Sequence, residues 1–290
     1  MTVIEAAEVL RKGGVGVIPT ETVYGLAGNA LDPHAVRRIF DLKGRPRQNP
    51  LIVHLAELEH VKTVAEIPRV PWLQPLLEAF WPGPLSVVLP KRTVVPDITS
   101  GGLDTVAVRV PNHPLALELL QQLDFPLAAP SANLYGELSP TSVGQLSPTI
   151  AERADFVLDG GPCAVGIEST VVDATREIPV ILRPGMISAV DIAEVAGIEP
   201  ATELSSIKSP GHADRHYSPI TPLVLVDEIP PGTAALALEP NESPTEYAKR
   251  LYRDLYRLDQ ARSEAIYVQK PPQTEAWSAI WDRLRRAATR

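Results

Sequence analysis

Apolar positions first recur at helical spacing near the start of the chain. Ala6, Val9 and Leu10 share one side of residues 5–11, and Gly13 and Gly14 end that helix. Residues 15–18 then read as a short β-branched strand that Pro19 stops. Asp32 before Pro33 marks a helix start, with Asp as N-cap and Pro in the first turn. Val36, Ile39, Phe40 and Lys43 follow at helical spacing, and Gly44 is the expected C-cap. Lys43 therefore falls in the last turn, Arg45 and Arg47 in the loop beyond it, and residues 51–55 form the next strand.

Further on, WPGPLSVVLP gives a turn and a strand over 85–89. TVAVRVP alternates: Val106, Val108 and Val110 point one way, and Thr105, Ala107 and Arg109 the other. Strands are expected at 156–158, 170–172 and 180–182, and helices at 115–123 and 190–196. This irregular alternation predicts an α/β fold with a mixed sheet rather than strict βαβ winding. The stretch ELSSIKSPGHADRHYSP has no apolar period and reads as a linker. Beyond it come strands at 223–226 and 234–238, a helix at 245–258, a strand at 265–268 and a helix at 275–288. The expected division is a first α/β domain over 1–200, a linker over 201–219, and a small α/β domain over 220–290. A core that small is marginal alone, so it is expected to dock on the first domain.

Composition narrows the function classes. The chain has 290 residues, net charge -8 and a single cysteine, Cys163. An internal disulfide is excluded, and one cysteine fits a reducing compartment. The N-terminus carries acids and no long apolar stretch, and no apolar run approaches a membrane span, so a cytoplasmic location is expected. Thirty prolines are spread along the chain and read as stiff turns. A pI near 5.3 argues against bulk adhesion to nucleic acid, so any phosphate binding must be local.

Local positive charge is found at DLKGRPRQNP. Lys43 alone would be explained by the helix dipole. Lys43, Arg45 and Arg47 together go beyond capping, because they repel one another without an anion, and a bound polyphosphate would resolve that. PTETVYGL is a polar turn at a strand end that suits either turn chemistry or a small polar ligand. APSANLYGELSP supplies Ser131, Asn133 and Ser139 without bulk, so backbone can approach a ligand closely. Arg109, on a face of small residues, wants an anion: an acidic partner or a ligand carboxylate. GIESTVVD and LRPG bring Ser169, Thr170 and Arg183 to neighbouring strand ends. Walker, dinucleotide-fingerprint and nucleophile-elbow motifs are lacking. His212 and His216 are four apart, but Pro210, Gly211 and Pro219 disfavour a helix there, and no metal site is read.

Together PTETVYGL, Lys43-x-Arg45, Ser131-x-Asn133, GIESTVVD, LRPG and RHYSP resemble the threonylcarbamoyl-AMP synthase family, in the family's order and over essentially the whole chain. The resemblance implies a YrdC-like mixed twisted sheet with helices, a linker, and a small Rossmann-like α/β domain. It implies a nucleotidyltransferase that makes threonylcarbamoyl-AMP and pyrophosphate from L-threonine, bicarbonate or CO2, and ATP with Mg2+. The product would pass to the machinery that threonylcarbamoylates tRNA. Thr22, His54, Arg109, Ala129 (by its backbone) and Ser169 match threonine-site positions. Arg45, Asn49, Thr105, Ser131, Ser139, Arg183 and Tyr217 match nucleotide-site positions. Lys43, Arg45, Ser131 and Asn133 form the family's catalytic tetrad, Lys43 and Arg45 being suited to phosphates. Arg215, His216 and Tyr217 would sit on a lid. The linker departs from the family in lacking a bulkier basic stretch before RHY, and the second domain is shorter.

Two other readings stay open. YrdC-like domains present a cationic concave face, which would suit an RNA-binding module. Net charge -8 and 5% aromatics weigh against that. A carbamoyl-adenylating relative is the other, although such relatives carry zinc-binding or kinase-like partner domains.

Overall fold

A computed structural model of the chain describes residues 1–204 and 217–289. Most of the expected linker, with His212, Arg215 and His216, lies outside the described residues.

Ten strands form one mixed sheet. In chain order they are β1 (Gly16–Ile18), β2 (Gly25–Asn29), β3 (Ile52–His54), β4 (Leu85–Pro90), β5 (Thr105–Arg109), β6 (Leu127–Ala128), β7 (Phe156–Val157), β8 (Thr170–Asp173), β9 (Val180–Arg183) and β10 (Ala201–Thr202). Across the sheet the order is β10-β9-β8-β4-β5-β3-β6-β2-β1-β7. A second, three-stranded parallel sheet holds β11 (Leu223–Val226), β12 (Ala235–Leu236) and β13 (Ile266–Gln269), with β13 central. This is the mixed α/β architecture the pattern predicts.

Local chemistry explains most elements. Thr2 caps helix Val3–Arg11 in a capping box with Glu5. Asp32 accepts from His34 N at 2.8 Å to start helix Pro33–Lys43, and Gly44 ends it in the left-handed conformation. Ser243 and Glu246 form the box that opens helix Pro244–Gln260. The strand β2 is the exception. Its sequence, GLAGN, has poor strand propensity, and the sequence pattern gives only a turn there. It is a strand because it lies between β1 and β6, which pair with its backbone on both sides. Helix Leu73–Phe80 also lacks a signal in that pattern; its Pro75 is tolerated because it falls in the first turn.

The β5 alternation sorts the two faces of the sheet. Val106, Val108 and Val110 enter the large core with Leu73, Leu76 and Phe40. Ala107 turns to the opposite face, beside Ile52, Val88 and Val171. Arg109 and His54, by the same alternation, belong to that second face.

The small sheet packs against the large one through a shared core. Val23 and Ile167 join Tyr247, Leu251, Ile280 and Leu284 in one apolar cluster. Helix Pro244–Gln260 comes so close to Gly166 (φ +88°) that a Cβ there would lie 2.5 Å from Ala248 O and 2.6 Å from Lys249 Cα. Gly166→Ala is therefore expected to cost about 2 kcal/mol or more. The melting temperature should fall by about 4–8 °C. An unchanged melting curve would show that the helix is not seated on this glycine.

Candidate active site

Strand direction gathers the site. β3 and β5 are parallel, β4 and β8 run opposite to them, and β9 turns back again. The C-terminal ends of β3, β5 and β9 thus share one end of the sheet with the starts of β4 and β8. His54, Arg109 and Arg183 are the last residues of the first three, and Ser169 immediately precedes β8. All four line one cavity. Thr22, Arg45, Ala129, Ser131 and Tyr217 line it too.

Arg109 is held on three sides. Nε donates to Gly83 O at 3.1 Å, and Nη1 donates to Thr22 Oγ1 at 2.9 Å. Nη2 lies 2.6 Å from Glu21 Oε1, with both side chains buried. That contact is an ion pair without hydrogen-bond alignment, and neither Glu21 carboxylate oxygen accepts a hydrogen bond. The anion that Arg109 wants is thus partly supplied from inside. Glu21, in the middle of the PTETVYGL turn, went unassigned in the motif reading. Beside it, His54 Nδ1 stands 3.3 Å from Ile52 O. Burial, then the Arg109 charge, lowers its pKa from 6.5 to about 3, so the ring is neutral at physiological pH.

The cation loop divides into three fates. Arg45 is buried in the cavity wall, its Nη2 donating to Pro50 O at 3.1 Å. Burial lowers its pKa to about 10, which leaves it charged. Lys43 is buried behind it and does not line the cavity. Its Nζ donates to Ser131 O at 2.5 Å and Asn133 O at 2.6 Å, fixing the Ser-x-Asn loop by its carbonyls. Burial, then Arg45, lowers its pKa well below the ordinary lysine value. Arg47 is exposed and pairs with Asp41 at 3.3 Å. The mutual repulsion of the three cations is thus relieved by separation and by backbone carbonyls.

The remaining predicted residues stand around the cavity. Asn133 Nδ2 donates to Leu134 O and Glu137 O, bracing its own loop. Asn49 is buried and donates to the Tyr135 hydroxyl at 3.1 Å. Thr105 is half-buried at the start of β5, four residues and so roughly 13 Å of strand from Arg109. Ser169 Oγ lies 2.8 Å from Ser86 Oγ and accepts from Arg183 Nη2 at 3.0 Å, while its carbonyl accepts from Arg183 Nε at 3.0 Å. Gly185 allows this contact, since a Cβ there would sit 2.3 Å from Thr170 N. Ser139 Oγ donates to Glu168 Oε1 at 2.5 Å. Glu168 lines the cavity and is another residue absent from the motif assignment, although it lies inside GIESTVVD. Burial raises its pKa, but Arg283 and Arg183 with the Ser139 and Arg283 hydrogen bonds outweigh that and lower it overall. Among the described residues no cluster of three or more His, Cys, Asp or Glu could hold a metal ion, and no helix is long and apolar enough to cross a membrane.

Two family models match the chain, one after the other. A family model named for Sua5, YciO and YrdC, described as telomere recombination, matches residues 8–185. A model described as the C-terminal domain of threonylcarbamoyl-AMP synthase matches residues 186–289. The threonylcarbamoyl-AMP synthase of Pyrococcus abyssi is 47% identical over 77% of this chain and 67% of its own. That of Bacillus subtilis is 35% identical over 99% of this chain and 92% of its own. The crystal structure of P. abyssi Sua5 complexed with L-threonine superposes with a TM-score of 0.89 at 36% identity, covering 99% of this chain and 94% of that one.

The buried neutral His54 has a consequence for stability. Its folded pKa of about 3 lies below 6.5, so between these values the unfolded chain binds a proton that the folded chain does not. Stability is therefore lost as pH falls from 6.5 towards 3, by up to about 5 kcal/mol from this group. Urea unfolding at pH 7, 5 and 4 should show a shallower loss for His54→Gln than for wild type. Parallel losses would place the acid sensitivity elsewhere.

Proposed function

The chain belongs to the threonylcarbamoyl-AMP synthase family, and on that premise we propose that it forms threonylcarbamoyl-AMP and pyrophosphate from L-threonine, CO2 or bicarbonate, and ATP. The observation that carries this reading is that three buried guanidiniums, of Arg45, Arg109 and Arg183, line one cavity together with a neutral imidazole and the backbone of residues 129–131. Such a cavity suits two anions held side by side.

In this reading the threonine carboxylate lies on Arg109 and Thr22, with His54, Ser169 and the Ala129 backbone around the rest of the amino acid. ATP lies along Arg45, Ser131 and Arg183, with Asn49, Thr105, Ser139 and Tyr217 as its further contacts. Lys43 and Asn133 act from behind, by holding the loop that carries Ser131. The threonine amine attacks CO2 and gives up a proton to form an N-carboxylate. A carboxylate oxygen then attacks the α-phosphate, and pyrophosphate leaves. The first step puts a second carboxylate on threonine and the second brings it onto the triphosphate, so neutralisation and positioning supply the rate, and no enzyme nucleophile is needed. Mg2+ would come with the triphosphate, held by its oxygens and water, because the described residues offer no acidic cage. It would neutralise charge on the leaving pyrophosphate. The product would be handed to the machinery that transfers threonylcarbamoyl to tRNA.

Pyrophosphate release is expected to need ATP, L-threonine and bicarbonate together, with mass spectrometry identifying the adenylate. Release that ignores threonine would favour a carbamoyl-adenylating relative, and no ATP consumption would favour an RNA binder. Arg45→Ala is expected to abolish turnover while circular dichroism stays that of wild type; full activity would remove Arg45 from the site.

A further inference from the structure

The cavity has one wall that the motifs do not account for. Glu168 is a buried carboxylate in a site proposed to hold phosphates, where an uncompensated negative charge would oppose the ligand. Its compensation comes from the other end of the chain. Arg283, on helix Ser278–Ala288, is 1% exposed and donates from Nε to Glu168 Oε2 at 2.8 Å. Tyr252, on helix Pro244–Gln260, donates to the same oxygen at 3.0 Å.

The guanidinium does more than balance charge. Its Nη2 donates to Glu168 O at 3.3 Å and its Nη1 to Pro184 O at 2.9 Å. One side chain therefore joins the residue before Ser169 to the residue after Arg183. Its outer side is held by Asp282 at 2.8 Å. The Tyr217 ring lies 5.0 Å from the guanidinium and 6.0 Å from the Tyr252 ring, so this cavity-lining residue from the end of the linker rests on the same pair.

We propose that Arg283 and Tyr252 are positioning residues for the nucleotide: the C-terminal unit neutralises and fixes Glu168, so that Ser139 and Arg183 are presented to the nucleotide without a competing negative charge. This rests on the functional reading above. The charged and titratable groups facing Glu168 are Arg283, Arg183, Lys43, Tyr217 and Tyr252. Arg283 is the member of that set that contacts the carboxylate and both strand ends. Without it, Glu168 is either ionised and opposed to phosphate or protonated at a higher pH than before.

The test is calorimetric binding of ATP and of L-threonine to the full chain, as wild type, Arg283→Met, Tyr252→Phe, Glu168→Gln and the double variant Arg283→Met with Glu168→Gln. Arg283→Met should weaken ATP binding about 30- to 100-fold at pH 8. Its affinity should recover as pH is lowered towards 6, relative to wild type over the same range. Tyr252→Phe should weaken ATP about 3- to 10-fold while keeping the fold. L-Threonine affinity should move less than about threefold in both. The double variant should regain most of the ATP affinity, because it removes the stranded charge along with its partner. A double variant no better than Arg283→Met, or equal losses for both ligands, would reduce the network to an interface staple and overturn the proposal. Folded variants with wild-type ATP affinity would overturn it too. Wild type that binds no ATP would sink the functional reading and this inference together. Wild type that binds ATP beside unchanged variants would sink the inference alone.

Discussion

A guanidinium or ammonium taken out of water loses several kcal/mol of hydration unless the protein replaces it. Lys43, Arg45, Arg109, Arg183 and Arg283 are all buried, and the architecture around the cavity follows from how each is answered. Lys43 is answered by two carbonyls of the 131–133 loop, Arg45 by the carbonyl of Pro50, and Arg109 by Glu21 and Gly83. Arg183 is answered by Ser169, and Arg283 by Glu168 with Asp282. Backbone carbonyls are fixed dipoles and do not neutralise a charge. The cations answered mainly by carbonyls therefore keep a field that can attract an anion.

The same constraint ties the two sheets together. A small three-stranded sheet with two long helices buries little apolar surface alone. Here its core takes in Val23 and Ile167, from the loops that lead into β2 and β8, and its last helix sends Arg283 against Glu168, behind the cavity wall. Gly166 permits that closeness, and the turn it belongs to is also held to the PTETVYGL segment through Val165 N to Glu21 O at 2.7 Å and Gly166 N to Thr22 O at 3.2 Å. Packing of the C-terminal unit and placement of Thr22 thus depend on the same few residues.

Much of this was legible in the residues. The alternation of TVAVRVP assigned Val106 and Val108 to the core and Arg109 to the other face. Asp32, Pro33 and Gly44 set the limits of the helix that ends at Lys43. At the cation loop Arg47 takes its anion from Asp41, six residues away at the surface, a pairing that side-chain reach rather than spacing decides. Lys43 is answered by carbonyls that lie 88 and 90 residues further along the chain, beyond the reach of local pattern. Glu168 was hidden for a similar reason: its cation is 115 residues away.

The sequence by itself determined the local events: where helices start and stop, which face of a strand is apolar, and which short polar motifs exist to be brought together. These depend on neighbours a few residues apart, through caps, turn preferences and side-chain period. Tertiary structure alone decided that GLAGN is a strand, that Lys43 faces backbone while Arg45 faces the cavity, and that Arg283 backs the cavity wall at Glu168. Those outcomes depend on which dielectric and which distant partner each polar group meets, and the chain acquires both only when its sheets close on one another.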